Sequence, residues 1–348
     1  MKKVIINNRI ISNHNAPYII AELSANHNGD IQRALESIKV AKECGADAVK
    51  IQTYTADTIT IKSDREEFQI KGGLWDGYDL YSLFKEAETP YEWHQELFDY
   101  AKEIGITIFS SPFDFTAVDF LEDLNAPAYK IASPEIIDLP LIKRVAQTKK
   151  PMIVSTGMAS LEEISEAVHI AKENGCKDLA LLHCISGYPT PPEQSNLRII
   201  PDLAERFDAL IGLSDHTLGT TVATTSVAFG ACVIEKHFTL SRSDKGPDSE
   251  FSLEPHELTQ LCNDTKIAWK ALGKVGYELK NAEKTGHKFR RSLYFVKNIC
   301  NGDVISEKHI RSIRPGLGLL PKYYEQVLGK IAKCDIKQGT PVSFDLIS

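Results

Sequence analysis

Residues able to carry charge or form hydrogen bonds recur at regular places in the first 240 residues of this sequence. Each of them follows a short run of apolar or β-branched residues, so that nearly every run ends in a group with possible chemistry. These groups are Glu22, Lys50, Gln52, Ser111, Lys130, Ser133, Ser155, His183, Ser214-Asp215-His216 and Glu235-Lys236-His237. Strand ends are often polar merely because they meet solvent. The two lysines Lys50 and Lys130 together with three histidines exceed that expectation and indicate an active site.

Lys50 and Lys130, together with four serines, predict a binding site for an anion. Phosphate and carboxylate groups need cations and hydrogen-bond donors, because burying an anion is costly unless it is paired. The serines are Ser111, Ser133, Ser155 and Ser214. Each serine taken alone is more typical of a hydroxyl that satisfies the local backbone. The residue types also allow a second interpretation, in which Lys130 is a nucleophile that forms a Schiff base.

His216 and His237 end consecutive apolar runs and lie 21 residues apart, so their rings can converge on one point. Two neutral imidazoles with open positions suit a divalent metal that also holds substrate and water. No third His or Cys has the spacing of a closed zinc site. Glu22 and Glu135 are carboxylates near the same strand ends, and either could orient a water or act as acid or base. Asp248 could accept hydrogen bonds from a sugar, or could simply stabilise its own turn.

The apolar runs themselves predict the fold that positions these groups. Eight runs alternate with helical patterns, which is typical of buried parallel strands in a (β/α)8 TIM barrel. In that fold, catalytic groups stand at the C-terminal ends of the strands. The runs cover residues 18–21, 48–52, 107–110, 128–131, 152–155, 179–183, 209–213 and 232–235.

Helix start signals and one long interval complete the barrel pattern. Thr89 with Pro90 and Glu92 predicts a capped helix start, and Ser160 with Glu163 predicts a second capping box. Residues 54–89, which include the segment Gly72-Gly73-Leu74-Trp75, separate two runs by about twice the usual interval. We expect an inserted loop over the barrel mouth there, because long loops in compact domains are usually functional.

Composition changes near residue 274 and predicts a second domain. We expect the barrel in residues 1–273, a polar linker in 274–289 and a small β-rich domain in 290–348. The net charge of the chain is −7, yet residues 281–348 hold 12 basic and 6 acidic residues. Residues 1–280 therefore hold 28 basic and 41 acidic residues. This asymmetry favours a tail that docks on the body or meets an anionic ligand, although a merely solvated basic face is the alternative.

Composition also excludes several classes of protein. Apolar residues make up 43% and charged residues 25% of the chain, as in ordinary globular proteins. The acidic body argues against nucleic-acid binding, and no apolar run approaches the ~18 residues that span a bilayer. Seven cysteines without a C-x-x-C pair predict buried thiols in a reducing cytoplasm. The N-terminal segment lacks the unbroken apolar stretch of a signal peptide, so we expect a cytoplasmic protein.

Ten motifs in this order resemble the sialic acid synthase family, which condenses phosphoenolpyruvate with an N-acylated amino sugar. They are IAELSANHNGD (20–30), VKIQTY (49–54), SSPFD (110–114), YKIASPE (129–135), VSTGM (154–158), GYPTPPEQ (187–194), LSDHT (213–217), EKHFT (235–239), KGPDSEFSL (245–253) and RPGLG (314–318). The resemblance covers nearly the whole chain. It implies that residues 290–348 are an antifreeze-like (SAF-type) domain.

Within that family, residues 68–94 are most similar to the branch that makes pseudaminic acid. The resemblance implies 2,4-diacetamido-2,4,6-trideoxy-L-altrose as acceptor, because the asparagine that meets N-acetylmannosamine in sialic acid synthases has no counterpart in residues 77–84. Legionaminic and sialic acid precursors are the alternative acceptors. Alternatives from other classes are a Schiff-base barrel lyase, and a binding protein that uses the barrel only as a scaffold.

The resemblance also implies roles for individual residues. Lys50, Ser111, Lys130, Ser133, Ser155 and Ser214 match the phosphoenolpyruvate pocket, and His216 and His237 match ligands of Mn²⁺ or Mg²⁺. Glu135 matches a residue that orients the attacking water, whereas Glu22 and Asp248 match positions near the sugar. The expected catalytic set is Glu22, Lys130, Glu135 and His237. Arg314 matches an arginine that reaches the sugar site from the partner subunit, which implies a homodimer with exchanged domains.

Overall fold

The computed structural model describes residues 2–348, which divide into two compact units with a boundary between Gly273 and Lys274. The first unit begins with an antiparallel hairpin of β1 (Val4–Ile6) and β2 (Arg9–Ile11). The two residues between these strands, Asn7 and Asn8, have positive φ angles of 46° and 66°. Such angles suit the tight two-residue turn that joins twisted strands.

Eight parallel strands then form a closed barrel in the order β3 to β10, with β10 pairing back to β3. They are β3 (Tyr18–Glu22), β4 (Ala48–Thr53), β5 (Thr107–Pro112), β6 (Tyr129–Ile131), β7 (Met152–Ser155), β8 (Leu179–Cys184), β9 (Leu210–Ser214) and β10 (Val233–His237). The predicted TIM barrel is confirmed. Every predicted run lies within two residues of its strand at either end.

Helices surround the barrel and bury their apolar faces against it. Those of the barrel unit are α1 (Ile31–Glu43), α2 (Ala56–Ile59), α3 (Leu80–Ala87), α4 (His94–Ile104), α5 (Phe115–Asp123), α6 (Leu139–Gln147), α7 (Leu161–Glu173), α8 (Ile199–Arg206), α9 (Thr221–Ser226) and α10 (Pro255–Leu272). The capping box of Ser160 and Glu163 is present at the start of α7. The prediction for Thr89 is wrong, because α4 begins at His94 after a 3-10 turn over Tyr91–Trp93.

The barrel interior is apolar at its N-terminal end. Tyr18, Ile20, Phe109, Ile153 and Leu182 belong to one buried cluster inside the barrel. Val4, Ile6 and Ile11 of the hairpin join the same cluster, so the hairpin covers this end of the barrel. The opposite, C-terminal end of the strands is consequently where the barrel can receive a ligand.

The insert between β4 and β5 contains more structure than the predicted loop. It carries α2, α3 and a 3-10 turn over Glu66–Phe68. Across a narrow turn, the backbone N–H of Ile70 donates to the carbonyl of Tyr78, and the N–H of Gly77 donates to the carbonyl of Ile70. Tyr54, at the start of the insert, packs edge-on against Phe84 of α3.

The second unit is small and β-rich, as predicted. β11 (Ser292–Phe295) pairs antiparallel with β12 (Ile310–Ile313), and isolated bridges extend the pairing to Pro341 and Ile336. A short helix, α11 (Tyr324–Val327), contributes Val327 to the buried core of this unit, which also contains Leu293 and Phe295. A 3-10 segment over Asn281–Phe289 precedes the strands, within the region predicted as a linker.

All seven cysteines are free thiols. Five are buried as predicted, whereas Cys300 and Cys334 are exposed because they lie on surface turns of the small second unit. None of the helices in residues 2–348 combines the length and apolar character needed to cross a bilayer.

Candidate active site

A polar layer lies inside the C-terminal end of the barrel. Side chains of a strand alternate between its two faces, so the residue two positions after an interior residue also faces the interior. Ile20, Ala48, Phe109, Ala128 and Ile153 lie in the interior cluster. The next interior positions on the same strands are Glu22, Lys50, Ser111, Lys130 and Ser155, all of them buried.

Lys50 forms the centre of this layer. Its Nζ lies 2.5 Å from Glu22 Oε2 and donates a hydrogen bond of 3.2 Å to Ser111 Oγ. The side-chain amide of Gln52 donates to Glu22 Oε1 at 3.2 Å, so both oxygens of Glu22 face hydrogen-bond donors. Three neighbouring strands are thereby joined through one buried cation.

Glu235 lies between the two lysines. Its Oε1 is 3.9 Å from both Lys50 Nζ and Lys130 Nζ, and it accepts a hydrogen bond of 3.1 Å from Ser214 Oγ. Lys130 Nζ also donates to the backbone carbonyl of Ile131 at 3.0 Å. The layer thus contains two ammonium groups and two carboxyl groups, with hydroxyls beside them.

Burial and neighbouring charge set the protonation of this layer. Burial raises the pKa of the Glu22 carboxyl to about 7, although Lys50 opposes the shift. Burial also disfavours the ionised form of Glu235, but the fields of Lys130 and Lys50 hold its pKa below the usual range. Burial lowers the pKa of Lys130. Lys50 is also buried, yet Glu22 and Glu235 raise its pKa, so it stays protonated.

His216 and His237 converge beside the layer, as predicted. Their ring centroids are 5.4 Å apart. His216 Nδ1 lies 2.8 Å from the carbonyl of Ile185, which leaves Nε2 available. Asp248 Oδ2 is 3.7 Å from His237 Nδ1, and that buried nitrogen has no hydrogen-bond partner among residues 2–348.

These donors fit the divalent metal that the sequence predicts. A carbonyl that fixes one ring nitrogen while the other stays free is the arrangement found around metal-binding histidines. The buried, unpartnered nitrogen of His237 points to a missing ligand. Two imidazoles beside a carboxylate, Asp248, suit Mn²⁺ or Mg²⁺ better than a closed zinc site.

Aromatic rings enclose the histidine pair. The ring of Tyr188 lies 4.4 Å from His216 and 6.3 Å from His237, centroid to centroid. Phe251 lies 4.9 Å from His237, and Trp75 of the insert lies 5.6 Å from Tyr188. The site therefore has a charged side at the lysines and an apolar wall at the aromatic rings.

Ser133, Glu135 and Ser155 are close to the lysine side. Ser155 Oγ and Glu135 Oε2 are buried atoms without a hydrogen-bond partner in residues 2–348. Burial raises the pKa of Glu135 to about 7. Gly157 packs so tightly on Ser133 that a Cβ at this glycine would lie 2.2 Å from Ser133 Cβ, so any other residue there would displace Ser133.

Some strand-end residues do not face the site. His183 is buried with its Nε2 2.7 Å from the carbonyl of Ser195, because it occupies an outward position between Leu182 and Cys184. Lys236 likewise faces outward and forms a buried ion pair with Asp215 at 2.9 Å. The prediction that three histidines share one edge is therefore wrong for His183 and correct for His216 and His237.

Arg314 belongs to the second unit, where it lies between β12 and the segment that follows. Its role at the sugar stays a prediction. A different cluster, Glu254, His256 and Glu257, brings three possible metal ligands within 4.8 Å of one another. Its carboxylates already cap α10 and pair with Arg242, so its arrangement is explained without a metal.

Glu235 and Gln52 are strand-end residues in the sequence pattern, but their residue types alone assign them no role. The alternation of β10 could have identified Glu235, because it lies two residues after Val233 of the interior cluster. Tyr188 and Phe251 lie in two of the motifs that carry the resemblance, but in loops whose path over the barrel does not follow from periodicity, so the sequence assigns no role to either ring.

Two family models match the chain. The model described as the NeuB family matches residues 37–277, and the model described as the SAF domain matches residues 290–348. Together they cover most of both units and leave out residues 1–36 and 278–289. Such a match over more than half of the chain establishes the family.

Individual relatives agree with the family models. A pseudaminic acid synthase from Campylobacter jejuni is 48% identical over 322 residues, covering 92% of this chain and 94% of its own. An N,N'-diacetyllegionaminic acid synthase from the same species is 40% identical over 324 residues, covering 92% and 97%. A solved structure of N-acetylneuraminic acid synthetase from Leptospira borgpetersenii, in complex with citrate, is 32% identical with a TM-score of 0.74. That match covers 82% of this chain and 95% of the other.

Proposed function

The chain belongs to the NeuB family, and we propose that it condenses phosphoenolpyruvate with 2,4-diacetamido-2,4,6-trideoxy-L-altrose to give pseudaminic acid, a nine-carbon sugar acid used in surface glycans. Family membership identifies an enzyme that makes a sugar acid. The observation that carries the proposed reaction is the placement of buried Lys50 and Lys130 beside the converging His216 and His237. The identity of 48% to a pseudaminic acid synthase supports the choice of acceptor.

The lysine side of the site suits phosphoenolpyruvate. Its phosphate and carboxylate need the charge of Lys50 and Lys130, and the hydroxyls of Ser111, Ser133, Ser155 and Ser214 are the available donors. Without a ligand, Glu22 and Glu235 neutralise the lysines. The buried Ser155 hydroxyl has no hydrogen-bond partner among residues 2–348, which supports its assignment as a donor to the anion.

The histidine side suits the acceptor aldehyde. His216 and His237 would hold Mn²⁺ or Mg²⁺, which when bound supplies Lewis-acid stabilisation to the aldehyde oxygen. Asp248 would accept hydrogen bonds from the sugar, and its position beside His237 supports this role. Glu22 has a pKa of about 7, so it is available as the acid that protonates the new alcohol oxygen.

The proposed reaction forms one carbon–carbon bond, and at C2 it forms a carbon–oxygen bond to water and breaks the carbon–oxygen bond to phosphate. The enol carbon of phosphoenolpyruvate attacks the open-chain aldehyde, and positive charge develops at C2. Water adds at C2 while the Glu135 carboxylate accepts one of its protons. The bond between C2 and the phosphate oxygen then breaks, the new C2 hydroxyl passes its proton to the departing phosphate, and C2 becomes the ketone. Lys50 and Lys130 offset the negative charge of the departing phosphate and form no covalent bond.

Phosphate release from phosphoenolpyruvate tests this function. The enzyme is assayed with Mn²⁺ and then EDTA, and is offered the altrose sugar, its legionaminic counterpart and N-acetylmannosamine in parallel. We expect metal-dependent release with the altrose sugar. Release only with one of the other two sugars would overturn the assignment of the acceptor. Release that continues in EDTA would overturn the proposed metal dependence.

A Schiff-base lyase is the second candidate, because burial lowers the pKa of Lys130 as a covalent lysine requires. Borohydride trapping in the presence of substrate separates the two. We expect no adduct, and a stable adduct on Lys130 would establish the lyase mechanism.

We further propose a cytoplasmic homodimer in which the SAF domain of one subunit brings Arg314 to the sugar site of its partner. The seven free thiols support a reducing compartment. The opposite charges of the two sequence regions support docking of one on the other.

A further inference from the structure

Ser24 occupies a strained position beside the active site. It follows β3 in a turn that is closed by a hydrogen bond from the backbone N–H of Asn26 to the carbonyl of Leu23. Its φ angle is +43°, in a region that glycine adopts freely and that disfavours residues with a Cβ atom. Strained residues of this kind cluster at functional sites, so a serine in this place points to a use for its hydroxyl.

The hydroxyl of Ser24 already accepts one hydrogen bond. Ser24 is buried, and its Oγ accepts from Gln52 Nε2 at 3.0 Å. The same amide nitrogen also donates to Glu22 Oε1 at 3.2 Å. A hydroxyl carries one hydrogen of its own, so Ser24 can accept from Gln52 and still donate to one acceptor.

The carboxylate of Asp248 is the acceptor that the Ser24 hydroxyl faces. Burial raises the pKa of Asp248, whereas hydrogen bonds from the Ser24 hydroxyl and from the backbone N–H of Ala25 lower it. Asp248 Oδ2 also lies 3.7 Å from Nδ1 of His237. Ser24 therefore connects Gln52, beside the lysines, to a carboxylate beside the histidines.

The backbone of Asp248 is held separately, by the side chain of Asn26. Asn26 is buried, and its Oδ1 accepts from Ser249 Oγ at 3.2 Å while its Nδ2 donates to Ser252 Oγ at 2.9 Å. Ser252 Oγ in turn donates to the carbonyl of Asp248 at 2.6 Å. These bonds fix the loop that carries Asp248 but do not touch its carboxylate. Ser24 and the N–H of Ala25 are left to orient that group.

We propose that Ser24 is a positioning residue whose hydroxyl aims the Asp248 carboxylate at the acceptor sugar. This inference rests on the proposed function, in which Asp248 accepts hydrogen bonds from the sugar. A carboxylate that is already held in one orientation costs less to order when the sugar binds. Without the hydroxyl, the carboxylate can turn, and part of the binding free energy is lost in ordering it.

The test measures kcat and KM for both substrates in Ser24→Ala and Ser24→Gly, with the sugar that the wild type uses. Both variants should lose about 10–100-fold in kcat/KM for the sugar, the strength of one hydrogen bond to a charged group, while KM for phosphoenolpyruvate stays unchanged. Glycine relaxes the strained φ angle and removes the hydroxyl. If Ser24 served only the shape of the turn, Ser24→Gly would therefore keep the wild-type kcat/KM.

A double-variant cycle tests whether Ser24 acts through Asp248. Asp248→Ala removes the carboxylate that the hydroxyl orients. Adding Ser24→Ala to Asp248→Ala should therefore lower kcat/KM for the sugar by less than about twofold further, because residues that act as one unit are not additive. A further loss as large as in Ser24→Ala alone would mean that the two residues act independently, and would overturn the inference.

Asn125→Gly is the matched control, because Asn125 has a φ angle of 55° in the exposed turn between α5 and β6. It relaxes the same kind of backbone angle and should leave both KM values unchanged. Wild-type kcat/KM in Ser24→Gly, or equal losses toward the sugar and phosphoenolpyruvate in both Ser24 variants, would overturn the inference. A wild type inactive on all three sugars would instead overturn the proposed function.

Discussion

Glu235 occupies the most consequential position that sequence reasoning left without a role. Its carboxylate lies 3.9 Å from both lysines and is held by Ser214. Buried cations are costly unless they are paired. We therefore interpret Glu235 as the group that keeps Lys50 and Lys130 charged and in place until the anionic substrate arrives.

Glu235→Gln is expected to destabilise the unliganded protein by about 3 kcal/mol, because it removes one partner from a buried charge cluster while preserving shape. Phosphoenolpyruvate should restore much of this loss, since its own charges then pair with the lysines. Urea denaturation with and without phosphoenolpyruvate measures both effects. Glu122→Gln, at the more exposed pair with Lys150, is the control and should change stability by less than about 1 kcal/mol.

The pKa of Glu135 predicts how the rate depends on pH. Burial raises this pKa to about 7, so the carboxyl is mostly protonated at pH 6 and mostly ionised at pH 8. A base must be ionised to accept the proton of water, so ionisation of Glu135 should give kcat a rising limb near pH 7. The pKa of Glu22, the proposed acid, is also raised to about 7, so its ionisation should add a falling limb at similar pH. In Glu135→Gln the residual rate should lose this rise while metal content stays unchanged. A variant that keeps the same rising limb would assign the titration to another group.

Whether the sequence predicts a site residue depends on which face of its strand the side chain occupies, because side chains alternate between the two faces. Glu22, Lys50 and Lys130 were predicted because they end apolar runs, and the structure brings them together. His183 and Asp215 have equally suggestive types, yet each lies one position away from an interior residue and so faces outward. Residue type does not distinguish the inward-facing residues from the outward-facing ones. The register of the strand does, because a shift of one residue moves a side chain to the opposite face.

At the scale of elements, a buried ion pair fastens the two strands that carry the histidines. Lys236 Nζ donates to Asp215 Oδ2, and also to the carbonyls of Thr217 and Gly219 at 2.6 and 2.8 Å. Lys236 directly precedes His237, and its acceptors flank His216. The pair thus joins β10 to the segment after β9 and fixes the separation of the two rings.

The double variant Lys236→Met with Asp215→Asn should weaken Mn²⁺ binding about 10–100-fold, the usual effect of losing support behind metal ligands. Isothermal titration of the folded protein measures this affinity without reference to activity. The control is Arg9→Met with Asp47→Asn, an ion pair in which Arg9 belongs to the hairpin at the other end of the barrel. Unchanged Mn²⁺ affinity in the first variant would limit the Lys236 pair to a role in stability.

Elements with long periodic patterns were predictable, and short ones were not. The eight barrel strands followed from apolar runs, whereas β1 and β2 have only three residues each and left no clear pattern. These two strands are buried only because they cover one end of the barrel, and that barrel is formed by strands far away in the sequence. The helical parts of the insert were missed for a similar reason, since α2 has only four residues and α3 only eight.

At the scale of the whole molecule, the charge distribution and two exposed apolar residues bear on whether the chain forms a dimer. Residues 281–348 carry an excess of basic residues and the rest of the chain an excess of acidic ones. Val275 and Tyr277, just before the SAF domain, are almost fully exposed. Both features fit a chain whose second unit meets another copy, and light scattering of the purified protein should give the mass of a dimer.

A hybrid dimer tests whether Arg314 acts on the partner subunit. One subunit carries Arg314→Ala, the other carries Lys130→Ala, and two different tags allow isolation of the mixed species. If Arg314 reaches across, the barrel with intact Lys130 receives the intact Arg314 of its partner, and the hybrid keeps about half of the wild-type kcat. If Arg314 serves its own barrel, neither site is complete and the hybrid is as inactive as the parent variants. Activity near half would therefore require exchange of the SAF domain, because no other arrangement of these two substitutions leaves one site intact.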